Sequence, residues 1–224
     1  MSKLPSRNYR SSVSSAGEPG GEGGRTAPAV SLRTGRSVWR WIRIDVPARV
    51  LPLIAIPLIW AVGWGGGVEA VGLKADVPGW WWFVLVGMAI LVALVSVWFV
   101  VKQGGAGSRA TAGALALELP FFVVLNPVTE ELFFRGLAQR QLEEIIGFVP
   151  ALLLVSVVFG FHHALAGFRL PFLILATVGG LLFGSVMAVY DSVLPAIGLH
   201  IAADIGIFVA GPWWAERRAR RVEK

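Results

Sequence analysis

Five blocks of the chain are nearly free of charge: about residues 50 to 68, 79 to 101, 148 to 168, 170 to 190 and 192 to 214. Each supplies the roughly 20 mostly apolar residues that a membrane-crossing helix needs. A sixth block, about 111 to 146, opens with the apolar "LALELPFFVVL" and turns polar after Pro127 as "TEELFFRGLAQRQLEE". Read as one long pass kinked near Pro127, it completes six crossings and leaves both arginine-rich ends on one side. Read as two, it separates them, against the rule that basic flanks stay cytoplasmic. The pattern therefore predicts an all-α fold, a polytopic membrane helix bundle of about six transmembrane passes.

Composition strengthens the membrane assignment and narrows the chemistry. With 55% hydrophobic and 15% charged residues in 224 positions and a mean hydropathy of +0.68, the chain has more apolar side chain than a soluble domain could bury. No cysteine is present, which excludes disulfides, thiolate metal sites and a cysteine nucleophile. The net charge of +6 concentrates at the two ends. It reads as topology signals and anchors to an anionic lipid bilayer, with no nucleic-acid partner.

The expected organisation is a disordered basic tail over 1–37, which lacks a signal-peptide apolar core, and an N-terminal transmembrane hairpin and loop over 38–110. A catalytic helical core over 111–214 and a basic C-terminal tail over 215–224 follow. Lys102, Arg109 and Arg169 fall on the side of the basic ends. The loop "GGGVEAVGLKADVPG" and the pair Glu143 and Glu144 fall on the other. Both termini are accordingly expected in the cytoplasm, and the membrane is expected to be the cell membrane. Trp80, Trp81, Trp82, Trp213 and Trp214 sit at run ends, where an interfacial aromatic belt is expected.

Against this apolar background the ionisable residues stand out, because each costs about 3 kcal/mol at membrane depth. They are Glu130, Glu131 and Arg135, then His162 and His163, then His200 and Asp204; Glu118 is isolated and unexplained. Glu131 and Arg135 are four apart, acid first, which suits a same-face ion pair. Glu130 is turned from them by about 100 degrees and can face elsewhere. His200 and Asp204, and Phe159 and His163, repeat the four-residue step. His162 is expected as a packed or interfacial histidine, its neighbour facing the other way. At about 1.5 Å per residue, the three polar faces reach similar depths, so they are expected around a shared polar intramembrane cavity. Gly180 and Gly184 form a small-x-x-x-small step suited to close helix packing.

"EELFFR" fits Glu-Glu-x-x-x-Arg, "FGFHH" fits Phe-x-x-x-His ending on His163, and "HIAAD" fits His-x-x-x-Asn/Asp. In this order they resemble the three motifs of the CPBP intramembrane proteases, the CAAX-processing and bacteriocin-processing enzymes also called the Abi family, over about residues 111 to 212. The resemblance implies hydrolysis of a peptide bond within the membrane, in a membrane-associated protein or peptide. It implies Glu130 as the catalytic glutamate, His163 helping to hold the attacking water, and His200 with Asp204 polarising the scissile carbonyl. Glu131, Arg135 and Phe159 would support the site. Many members carry Asn where this chain has Asp204, which when ionised accepts hydrogen bonds but cannot donate one.

The chemistry is coherent on its own terms. A carboxylate within reach of water can act as general base, and one well-placed donor to the oxyanion contributes about 3 to 4 kcal/mol. Glu130, His163, His200 and Asp204 could instead hold a divalent metal such as Zn, a reading in keeping with the metalloprotease label. "HIAAD" lacks the paired-histidine helix of a zincin, and the preferred reading is a glutamate mechanism that requires no cofactor. Two other classes use the same residues. A transporter would line a proton pathway with them, and a catalytically silent member would act as a scaffold or bacteriocin self-immunity protein.

Overall fold

A computed structural model describes residues 31–65, 67–75, 79, 81–103 and 108–222. Residues 1–30 of the expected tail, the belt residue Trp80 and the last two residues lie outside the described residues. Six helices are long and apolar enough to cross a membrane: α1 (Gly35–Gly63), α2 (Trp81–Lys102), α3 (Ala112–Ile146), α4 (Phe148–Ala166), α5 (Leu170–Tyr190) and α6 (Val193–Arg221). The protein is thus an all-α, multi-pass membrane bundle. The block over 111 to 146 is one continuous helix. A short parallel pairing of Ser31–Arg33 with Ser108–Ala110 ties the start of α1 to the start of α3.

Two boundaries differ from expectation at the N-terminal end. Residues 31–37, assigned to the disordered tail, are ordered. Thr34 caps α1 by accepting from the Ser37 amide (3.3 Å), while Ser37 Oγ accepts from the Thr34 amide (3.1 Å), the reciprocal arrangement that starts a helix. The first helix therefore begins 15 residues before the apolar run, in the amphipathic "GRSVWRWIRID". Gly35 makes this start possible, since a Cβ there would lie 3.1 Å from the Gly113 carbonyl of α3.

α1 lies along α3, and α2 lies along α6, so the two clasp the remaining helices from different sides. Their outer faces stay apolar and exposed, as at Val62 and Phe83, which is the arrangement lipid requires.

α3 to α6 are joined by tight turns, each pivoting on one left-handed residue: Gly147 (φ 82°), Gly167 (φ 83°) and Asp191 (φ 48°). Pro171, in the first turn of α5, occupies a position where its missing N–H is harmless. α4 and α5 pack closely because Gly160 meets Thr177 and the Leu173 carbonyl, leaving no room for a side chain. Gly180 does the same against Ser156, and Gly184 against Gln139 and Leu152, as the small-residue step predicts.

The long helices are not uniform. Val46–Val50, Leu119–Leu125, Leu132–Gln139 and Ile205–Ala210 are wound as π-helix. Pro47 and Pro120 sit within two of these segments. A proline removes one ladder hydrogen bond and crowds the preceding turn, and a wider turn relieves both. In place of a single kink at Pro127, α3 widens on both sides of the six-residue α-helical piece Asn126–Glu131.

Candidate active site

The Glu-Glu pair sits between those two widened stretches of α3. Glu130 and Glu131 are both essentially inaccessible to solvent. From α6, His200 reaches between them. Its Nδ1 lies 2.8 Å from Glu131 Oε1, and its Nε2 lies 3.9 Å from Glu130 Oε2. A carboxylate can only accept, so Nδ1 donates to Glu131, while Nε2 faces Glu130. Asp204, one turn further along α6, places Oδ2 3.9 Å from the same Nε2. The rings of His200 and Phe183 stack at 5.1 Å, which fixes the imidazole plane.

Beneath this layer Arg135 is sealed from solvent. Its Nε lies 3.2 Å from Glu131 Oε2, confirming the i, i+4 pair. Its guanidinium rests 4.2 Å from the centroid of Phe159, a distance at which a cation is attracted to the ring face. Gly180 of α5 leaves the space it fills, since a Cβ there would stand 2.9 Å from Arg135 Nη2. Phe159 also meets His163 and His200 edge-on, at 4.9 and 5.7 Å. It is the hub on which the three motif-bearing helices rest.

His162 departs from expectation. α-Helical winding ends at His162 and passes to a 3-10 turn over His163–Ala166, and the rings of His162 and His163 lie 5.7 Å apart. His163 Nδ1 donates to the Phe159 carbonyl at 2.9 Å. His162, expected to face away, brings Nε2 within 3.7 Å of Glu130 Oε1. Both histidines line one cavity of about 780 Å³ together with Glu130, His200 and Asp204.

The cavity has walls that sequence reasoning did not supply. α1 contributes Trp41, Asp45 and Arg49, and α3 adds Glu118 and Asn126. Arg49 Nη1 is 2.5 Å from Glu130 Oε1 and 2.5 Å from Asn126 Oδ1, while Asp45 grips its Nε and Nη2 at 2.9 and 2.6 Å. The signal was present as the i, i+4 step from Asp45 to Arg49. It was hidden because the apolar run begins only at residue 50.

Several of these side chains lie at or next to a change of helical pitch. Arg49 is in the π segment of α1, Glu131 and Asp204 each end an α-helical stretch before a π segment, and His162 precedes the 3-10 turn. Glu130 Oε2 and Asp204 Oδ2 are buried and make no hydrogen bond.

Among the described residues no group of three or more His, Asp or Glu is gathered closely enough to hold a metal ion.

Residues 112–206 match the model of the Rce1-like family, described as type II CAAX prenyl endopeptidase Rce1-like. No curated protein and no solved structure matches the chain.

Proposed function

We propose that this chain, whose residues 112–206 match the Rce1-like model of CAAX prenyl endopeptidases, hydrolyses a peptide bond of a membrane-associated protein or peptide with water activated by Glu130. The observation that carries this reading is the buried carboxylate of Glu130, with Oε2 open toward His200 Nε2 across 3.9 Å. That gap is too long for a direct hydrogen bond and suits one bridging water. Such a water gives one hydrogen to Glu130 Oε2 and is held on its other side by His200 Nε2, which positions its oxygen for attack.

Glu130 takes the proton as the water oxygen bonds to the scissile carbonyl carbon. The tetrahedral oxyanion then collapses, the C–N bond breaks, and Glu130 returns the proton to the leaving amine. His162 and His163 stand beside Glu130 to stabilise developing charge. Glu131 fixes the His200 tautomer, and Arg135 with Phe159 fixes Glu131. No step requires a metal or other cofactor.

The substrate class we favour is a prenylated CAAX-type tail, with leader peptides and sorting segments as the competing classes. Both ends of the chain are assigned to the cytoplasm and the protein to the cell membrane, from the arginines that flank the bundle.

The test uses purified protein in nanodiscs, a farnesylated CAAX peptide and an unprenylated peptide set, with and without a chelator. Glu130→Gln should lower kcat by on the order of 10²–10⁴-fold, and the chelator should leave wild-type cleavage intact. Wild-type rates from Glu130→Gln would remove this mechanism, and loss of cleavage with chelator would move it to a metal.

A further inference from the structure

We infer that Arg49, on α1 and outside the family-matched segment 112–206, is a positioning residue for Glu130. The inference rests on the hydrolytic role proposed for Glu130. One nitrogen of the guanidinium, Nη1, meets both Glu130 Oε1 and Asn126 Oδ1 at 2.5 Å. Those two partners are one turn apart on α3, so a single planar group pins two rungs of the helix that carries the general base. Asp45 holds the other edge through two bonds, at 2.9 and 2.6 Å. This fork geometry is one that a lysine ammonium cannot reproduce.

The division of labour on Glu130 is the informative part. Arg49 occupies Oε1, and Oε2 is thereby turned toward His200 Nε2. An ordinary interfacial arginine would extend its charge to water and headgroups. Arg49 instead folds inward, with 17% of its side chain exposed, against a carboxylate that is 2% exposed. Misplacing a reacting group by about 1 Å can cost on the order of 10²-fold in rate, and nothing else among the described residues bonds Glu130 Oε1 at hydrogen-bond distance.

The experiment compares full-length wild type, Arg49→Met, Arg49→Ala, Arg49→Lys, Asp45→Asn and Glu130→Gln in nanodiscs on the farnesylated CAAX peptide. kcat and KM are measured separately, and each variant is checked by its thermal midpoint. Arg49→Met should lower kcat about 30- to 100-fold with KM within about twofold, the signature of transition-state stabilisation lost while substrate binding is kept. Added guanidinium ion should restore part of the kcat of Arg49→Ala, and Arg49→Lys should recover part of it. Asp45→Asn should lower kcat about three- to tenfold and add nothing to Arg49→Met.

A raised KM with unchanged kcat would make Arg49 a substrate-binding residue and overturn the inference, as would full activity in folded Arg49→Met. Should Arg49→Met or Arg49→Ala fail to fold, Arg49→Lys and Asp45→Asn decide by the same kcat and KM criterion. Activity in Glu130→Gln would instead overturn the hydrolytic reading itself. An inactive Glu130→Gln beside a fully active Arg49→Met overturns only the role of Arg49.

Discussion

Asp191 and Glu130 are both carboxylates paired with an arginine, and their surroundings could hardly differ more. Asp191, at the turn between α5 and α6, is bracketed by Lys74 and Arg140, the latter at 2.7 Å, with 60% of its side chain exposed. Each of its two oxygens has a cation, and the neighbouring backbone is tied down as well: Ser192 Oγ donates to the Lys74 carbonyl at 2.6 Å, and the Val193 amide donates to the Gly72 carbonyl at 2.9 Å. Glu130 is buried, is held through Oε1 alone, and looks across 3.9 Å at a histidine that Asp204 also approaches. The first cluster is a clasp that closes the loop before α2 onto the bundle. The second retains unused hydrogen-bonding capacity under burial, which is where reactivity is found.

Substitutions can break or sharpen that contrast. The largest expected effect, after Glu130→Gln, is on Arg135, which belongs to neither type: it is sealed like the site, and its charge is met by Glu131 at 3.2 Å and the Phe159 ring at 4.2 Å. Arg135→Met should cost about 3–5 kcal/mol of stability by stranding Glu131, read by denaturant titration in detergent. Glu131→Gln with Arg135→Met should recover part of that loss. A stable Arg135→Met would move Arg135 from scaffold to chemistry.

A smaller change is expected at His162. If it serves Glu130, His162→Ala lowers kcat/KM about tenfold at an unchanged thermal midpoint, and His163→Ala falls at least as far. An unaffected rate would return His162 to a packing role and leave Glu130 with one histidine fewer.

The smallest effect belongs to the clasp. The hydrogen bond from Lys74, together with Arg140, holds the Asp191 carboxyl below the usual carboxylate range. The folded form therefore releases its proton more readily than the unfolded form. The resulting stabilisation is complete above the unfolded pKa of about 3.9 and is lost as pH falls through the lower folded value. Asp191→Asn should cost less than about 1 kcal/mol at neutral pH, because exposed pairs are well screened. Its midpoint should converge with wild type in acid, and cleavage should be unchanged.

Much of this was readable from spacing. Six apolar blocks gave six helices, and Glu131 with Arg135 and His200 with Asp204 share faces as the four-residue step requires. The part that was not readable has two physical causes. Rotation per residue fixes where a side chain leaves the helix and not where a long ring reaches through its own rotamer, and His162 brings its Nε2 to Glu130 despite that rotation. Arg49 lies beyond the apolar run, on an amphipathic stretch whose helicity depends on the Thr34 cap and on packing against α3. Which side chains meet across helices was likewise beyond spacing. Asn126 is polar and on the correct face, yet only the approach of α1 gives its oxygen a partner.

Two residues on the rim of the cavity, Leu165 at 85% exposure and Ile44 at 68%, are among the barest large apolar side chains of the bundle. On the proposed hydrolytic reading, an apolar rim of that kind suits a polypeptide that approaches the glutamate sideways through the leaflet rather than inward from bulk solution. Encounter would then be a two-dimensional event, governed by how many substrate molecules share the lipid surface with each copy of the protein and only indirectly by how many are in the tube.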